Sequence, residues 1–286
     1  MLKIAALSDI HGNLSALETV LAHVDGWEPD IVIVNGDVVN RGPLSLACWQ
    51  RVEQRIVQDG WRMTRGNHEE YVLAWESAER VLTPYQAEIF ASSRWTHQQM
   101  AHALEGLRTL PFSESVRAPD GSELRAVHAS MFNIQHGVLP WTTDDELRKI
   151  IDPAPDVFVT SHTHRFFTRS VDETLVINTG SVGCPLDGNP DTGYAQIVWQ
   201  DGAWSAELVR LPYDRQRAES VFRASGFIEA SGPIGLLMFR EWVDARSHMP
   251  FWGKQFAPQA ASGEISLEAS VLTYLDTLTV DGLSPV

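Results

Sequence analysis

The chain is expected to fold as an α/β protein. Three observations predict it: short β-branched runs alternate with helical patterns through the first two-thirds, the first helix carries an apolar face fit to cover a sheet, and apolar strands repeatedly end in short polar clusters. In order along the chain, Ala5 to Ser8 closes a first strand, and Asn13 can cap a helix whose apolar face is Leu14, Leu17, Val20, Leu21 and Val24. Ile31 to Val34 is a second buried strand, ending at Asn35-Gly36-Asp37, and Trp61 to Thr64 a third, leading into Arg65-Gly66-Asn67-His68. A mainly helical insert runs from Glu69 to about Leu107, with Pro84 as a first-turn residue. Its aromatic residues Trp75, Tyr85, Phe90 and Trp95 read as core rather than as a ligand platform. A hairpin turning at Pro119-Asp120-Gly121-Ser122 follows, and its second strand, Leu124 to Val127, ends at His128. Val157 to Thr160 ends at Ser161-His162-Thr163-His164. Leu175 to Asn178, Tyr194 to Trp199 and Trp204 to Leu211 are expected to form one antiparallel run, turning at Asp201-Gly202.

From Tyr213 onward the pattern is helical, punctuated near Gly226, Gly232-Pro233 and Ser262-Gly263. The expected organisation is a catalytic domain over 1-212 and a C-terminal helical extension over 213-286. The extension's stripe of Leu236, Phe239, Trp242 and Val243 could cover the chain's own core or join a second copy in a homo-oligomer.

A net charge of −15 argues against an extended nucleic-acid surface, though bound cations can reverse the field locally for a small phosphate ester. The two cysteines, Cys48 and Cys184, have no paired ligand spacing and read as reduced structural thiols. Met1 runs almost directly into an apolar strand, with no room for a cleaved leader, and no apolar run reaches a membrane span of roughly 20 residues. A soluble, cytoplasmic protein is expected.

The chemistry is carried by the strand-end clusters Asp9-Ile10-His11-Gly12-Asn13, Gly36-Asp37, Gly66-Asn67-His68-Glu69, His128 and His162-Thr163-His164. Carboxyl ends of parallel strands open into one crevice, so residues far apart in sequence can converge there. Any one cluster is weak evidence, whereas the ordered set is strong. Imidazole with carboxylate and amide oxygen suits manganese, with iron, zinc, nickel or cobalt as alternatives, over magnesium or calcium. Asp37, on a tight glycine turn, is suited to bridge two such ions. A metal pair about 3.5–4 Å apart can acidify a water and stabilise an in-line displacement at phosphorus.

In this order and spacing the clusters resemble the motifs of the calcineurin-like metallophosphoesterases. Ser8-Asp9-Ile10-His11-Gly12-Asn13-Leu14 and Asn178-Thr179-Gly180-Ser181-Val182-Gly183 are similar to the bacterial and archaeal phosphodiesterase-like branch. The resemblance implies a four-layer α/β/β/α sandwich of two mixed β-sheets flanked by helices. It implies Asp9, His11, Asp37 and His164 on one metal and Asp37, Asn67, His128 and His162 on the other. It implies also that His68 faces the scissile phosphate and assists the leaving oxygen; a locally hydrogen-bonded helix-start histidine is the alternative. Gly36-Asp37-Val38-Val39-Asn40-Arg41-Gly42 resembles the corresponding segment of serine/threonine phosphoprotein phosphatases, making Arg41 a candidate substrate clamp or simply a turn arginine. Asn40 and Asn67 are the further candidate substrate contacts. Asn40 stands where those phosphatases carry Asp, Ser161 and Ala129 where Gly is usual. The expected function is hydrolysis of a phosphomonoester or phosphodiester, with a phosphoprotein phosphatase and a non-catalytic scaffold as alternatives.

Overall fold

Strands with apolar side chains on both faces must be covered on both sides, and that requirement sets the architecture. The computed structural model describes residues 1–77, 79 and 81–280. The first half runs β1 (Leu2–Leu7), α1 (Leu14–Trp27), β2 (Ile31–Val34), α2 (Ser45–Asp59), β3 (Arg62–Met63), α3 (Asn67–Leu73), α4 (Pro84–Ile89), α5 (Ala91–Gln99) and α6 (Leu104–Arg108). It continues with β4 (Ser113–Arg117), β5 (Glu123–Val127), α7 (Asp144–Ile150), β6 (Val157–Thr160), β7 (Phe166–Val171), β8 (Thr174–Thr179), β9 (Thr192–Gln200) and β10 (Ala203–Leu211). The helices α8 (Arg215–Ala224), α9 (Phe227–Asp244), α10 (Met249–Ser262) and α11 (Leu267–Val280) close the chain.

The strands form two five-stranded sheets, ordered β10-β9-β1-β2-β3 and β4-β5-β6-β8-β7. In the first, β1, β2 and β3 are parallel and β9 runs antiparallel to β1; in the second, β5, β6 and β8 are parallel between antiparallel edges. Alternation then sorts side chains into layers. Ile4, Ala6, Ile33 and Ile197 meet Leu124, Val157, Val159 and Ile177 between the sheets. Ala5, Leu7, Val32 and Val34 point the other way, onto Leu17, Val20, Trp49 and Val52 of α1 and α2. Val127, Phe158 and Val176 face Leu147 and Ile150 of α7. The result is the four-layer α/β/β/α sandwich.

One expectation is corrected. Residues Leu175 to Leu211 do not make a single antiparallel run: β8 lies in the second sheet beside β6, whereas β9 and β10 belong to the first. The antiparallel partner of β8 is β7, registered with Phe166 opposite Thr179. Its half-exposed, partly polar edge sequence gave no strand signal.

At the N-terminus of α1 the Asn13 side chain accepts from the backbone N–H of Ala16 at 3.2 Å. Helix α9 bends where Gly232 takes φ 60° and ψ −150° before Pro233. The stripe of Phe239 and Trp242, with Leu236 and Val243 beside it, packs with Phe222, Trp252 and Val271, and with Cys184, Leu186 and Trp95 from earlier in the chain. The chain thus covers that stripe itself. Among the described residues no helix is long and apolar enough to cross a membrane.

Candidate metal centre

Parallel β1, β2 and β3 end on the same side of their sheet, as β5 and β6 do in theirs, so the turns that follow them meet at one edge of the sandwich. Backbone bonds hold the turns together: Asp9 N–H donates to Gly36 O and His11 N–H to Asp37 O, both at 3.1 Å, and Ser161 N–H to His128 O at 2.9 Å. Asn35 joins the two sheets. Its amide donates to Val127 O and Ser161 Oγ at 2.8 Å each, while its oxygen accepts from Thr64 Oγ1 at 2.9 Å.

The turns are sharp. Asp9, His11, Asp37, Asn40, Arg41, His162 and His164 all have φ between 49° and 65°, the left-handed region that side chains beyond glycine seldom occupy. Such backbone costs of order 1–3 kcal/mol per residue and clusters where function requires a particular aim. Gly66 is glycine because a Cβ there would lie 2.1 Å from Asp37 Oδ1.

All seven candidate ligands come together. His164 Nε2 lies 3.1 Å from both Asp9 Oδ1 and His11 Nε2, and His11 Nε2 lies 3.8 Å from Asp37 Oδ2. On the far side of Asp37, His128 Nε2 is 3.2 Å from Asp37 Oδ2 and 3.0 Å from Asn67 Oδ1, which is 2.8 Å from His162 Nδ1. Asp37 therefore stands between two groups, Asp9 with His11 and His164, and His128 with His162 and Asn67.

The outer atoms of these side chains fix what the inner atoms offer. His164 Nδ1 donates to Cys184 O at 2.6 Å and His128 Nδ1 to Asn35 O at 2.8 Å, leaving a lone pair on each Nε2 aimed inward. Asp9 Oδ2 accepts from Ser8 Oγ and from His162 N–H, but Asp9 Oδ1 is buried with no hydrogen-bond partner. The inward atoms of His164, His11 and Asp9 thus converge within about a hydrogen bond's length in the protein interior, an arrangement that needs protons or a cation among them. The residues fit a metal. Burial by itself would lower the basicity of His164 and His128, yet the carboxylates of Asp9 and Asp37 raise them to about 10 and about 9, while His162 is pushed down to about 4 by burial and by His128.

Sequence reasoning gave Glu69 no role. Its carboxylate accepts from the backbone N–H groups of Asp37 and Val38 at 2.8 Å and of Gly66 at 2.9 Å, bracing the Asp37 turn against the α3 start. A glutamate three residues after the helix cap, reaching back to the Gly66 N–H as in half a capping box, was the available signal. His68 N–H donates to Asp37 Oδ1 at 2.8 Å. The ring of His68 lines the cleft, and its Nδ1 is 2.8 Å from Asn40 Nδ2. Thr96 Oγ1 donates to Asn40 Oδ1, which turns the amide NH2 toward Nδ1 and leaves the proton of His68 on Nε2. Arg41 reaches the same cleft, but its Nη2 bonds Glu241 Oε2 at 2.5 Å. That partner sits in α9 and had no sequence signal.

Above the ligands lies a cavity of about 450 Å³, floored by Asp37, His68, His162 and His164 and walled partly by Glu241, Met249 and Phe251 of the last helices.

Comparison with known proteins agrees with this geometry. Residues 2–166, more than half of the chain, match the calcineurin-like phosphoesterase family. An uncharacterised protein of Methanocaldococcus jannaschii is 27% identical over 235 residues, covering 75% of this chain and 89% of that protein. A symmetrical bis(5′-nucleosyl)-tetraphosphatase of Acidovorax ebreus is 35% identical over 150 residues, covering 49% of this chain and only 46% of the relative. Among solved structures, a metallophosphoesterase from Sphaerobacter thermophilus shares the fold at a TM-score of 0.63 with 23% identity, covering 85% of this chain and 99% of its own. A hypothetical protein from Pyrococcus horikoshii OT3 superposes at 0.72 with 16% identity, covering 87% and 100%. With the fold, the clustered ligands and the matched span in agreement, the chain belongs to the calcineurin-like phosphoesterase family, a family of metal-dependent hydrolases of phosphoric esters.

Proposed function

We propose that the chain is a dinuclear phosphoesterase acting on a small phosphomonoester or phosphodiester, with manganese as the preferred metal. The observation that carries this reading is the position of Asp37, whose Oδ2 is within 3.8 Å of His11 on one side and 3.2 Å of His128 on the other. Asp9, His11, Asp37 and His164 would hold one ion, and Asp37, Asn67, His128 and His162 the second. When bound, the ions supply a water ionised near neutral pH and positive charge for the phosphoryl oxygens.

The protein side chains do the rest. Water oxygen bonds to phosphorus, the ester P–O bond breaks with its electrons passing to the leaving oxygen, and that oxygen gains a proton. His68, its proton kept on Nε2 by Asn40, would donate to that oxygen as charge develops. Glu69 keeps Asp37 in register, and Asn35 keeps the two halves of the cleft from separating.

The phosphoprotein-phosphatase alternative rests on Arg41 and on the Gly66-Asn67-His68-Glu69 match, and the pairing of Arg41 with Glu241 weakens the first of these. Dinucleoside polyphosphates, the substrates that the Acidovorax relative's name denotes, belong among those to be tried, since the similarity covers half of this chain. The test is turnover of p-nitrophenyl phosphate and bis(p-nitrophenyl) phosphate by purified protein, stripped of metal and then reloaded with manganese, alongside metal analysis. About two ions per chain with manganese-dependent turnover is the expected result; no dependence on metal, or no turnover of either ester, sinks the proposal.

A further inference from the structure

Beyond the metal-ligand floor, the cavity wall has a composition that ester cleavage by itself does not require. Trp141, from the segment between β5 and α7, is 65% exposed, and Phe251, in the first turn of α10, is 63% exposed. Both line the cavity. Large aromatic faces left to water are uncommon on a folded chain and mark contact surfaces when they gather at a pocket. Arg165, the residue immediately after the His162-Thr163-His164 ligands, lines the cavity too.

Among the described residues two arginines line the cavity, and they differ. Arg41 is buried against Glu241 and held well above the usual range: burial opposes its charge, and the Glu241 carboxylate restores it. Its charge is already matched. Arg165 has no carboxylate partner among the described residues; its guanidinium carbon lies 5.5 Å from the centroid of the Trp141 ring. In a chain of net charge −15, a cation with no carboxylate partner, lying over an exposed indole in the same cavity as the metal-ligand cluster, has the chemistry to hold a second anion against an aromatic wall.

Resting on the phosphoesterase reading above, we infer that Arg165, Trp141 and Phe251 form a subsite for a nucleotide, with a phosphate that is not cleaved held by Arg165 and the base against the two aromatic rings. A planar base offers a π-face to each ring, and a nucleotide is the class of phosphate ester that carries a flat ring and a second anion on one small molecule. A cavity of about 450 Å³ is within the range of small-ligand pockets, of order 300–1,000 Å³. Phe251 comes from the last helices, so substrate choice belongs partly to a segment outside the span matched to the family.

The test is calorimetric titration of the full, manganese-loaded chain with adenosine diphosphate and with methyl diphosphate, which has the same diphosphate but no nucleoside. Adenosine diphosphate is expected to bind about tenfold or more tightly than methyl diphosphate. Trp141→Ala and Phe251→Ala should each reduce that advantage about fivefold, with Trp141→Phe retaining most of it. Arg165→Ala should weaken both ligands. Circular dichroism identifies any variant that has not folded, and Trp141→Phe keeps the question open to test in that event. Equal binding of the two ligands by the wild type, or an undiminished advantage in the folded aromatic variants, overturns the subsite. Turnover of p-nitrophenyl phosphate in the same preparation reads the hydrolase separately. Turnover without a nucleotide advantage defeats only the subsite, whereas no turnover of any ester defeats the hydrolase and with it the assignment of a substrate pocket.

Discussion

Arg41 Nη2 and Glu241 Oε2 lie 2.5 Å apart, with side chains only 14% and 1% exposed, and they join the turn after Asp37 to a helix two hundred residues later. The other oxygen of Glu241 accepts the backbone N–H groups of His248 and Met249 at 2.6 and 2.7 Å. One carboxylate therefore fixes both the arginine at the cleft and the start of α10. Glu241→Ala leaves a buried guanidinium unmatched and two N–H groups unpaired, and should cost about 3–5 kcal/mol in urea unfolding. The Arg41→Met, Glu241→Ala double variant should lose less than the sum of the two single changes; simple additivity would show that the pair does not act as a unit.

Gly66→Ala would put a Cβ 2.1 Å from Asp37 Oδ1 and 2.6 Å from Asp37 N. Backbone cannot yield as a flexible side chain does. Loss of about 1–3 kcal/mol is expected, together with lowered metal content by elemental analysis. Gly253→Ala, within α10 where nothing lies within 4 Å of the added carbon, is the contrast and should be neutral or stabilising by up to about 1 kcal/mol.

Removing Asp37 and removing His68 should separate binding from chemistry. Asp37→Ala is expected to lose metal and turnover together. His68→Ala should keep its metal while kcat falls by about 10²–10⁴. Asn40→Ala should keep its metal and lose less kcat than His68→Ala, because it takes away only the group that sets the His68 tautomer. Equal metal loss in the Asp37 and His68 variants would refute the assigned roles.

Metal uptake should be linked to pH. In the metal-free protein His128 and His164, raised to about 9 and about 10 against the opposing effect of burial by the carboxylates of Asp37 and Asp9, hold protons at pH 7 where the metal needs lone pairs. Binding must expel those protons, so apparent affinity should rise as pH goes from 6 toward 9. Calorimetry at pH 7 in buffers of differing ionisation enthalpy reads proton release directly. An enthalpy independent of buffer would contradict it.

Much of the cleft was legible in the sequence because it is built from strand ends, where each ligand follows an apolar run that a one-dimensional pattern reveals. Asp9, Asn67, His128 and His162 follow strands in this way, and Asn13 was readable as a cap for the same local reason. What stayed hidden depends on pairing across the chain. The exchange of β8 into the second sheet, the Arg41–Glu241 link and the cavity wall at Phe251 each join segments far apart in sequence. Glu69 was in view within its motif, but its reach to the Asp37 turn is a tertiary contact.

Of the eleven described residues other than glycine with positive φ, seven sit at the cleft. Glycine at Asp9, Asp37 or His162 would relax the main chain while deleting a ligand. Heat resistance and hydrolysis therefore pull in opposite directions at these positions. A library of variants screened only for survival at high temperature would be expected to drift toward sturdy, inert proteins, losing the catalyst long before the sandwich.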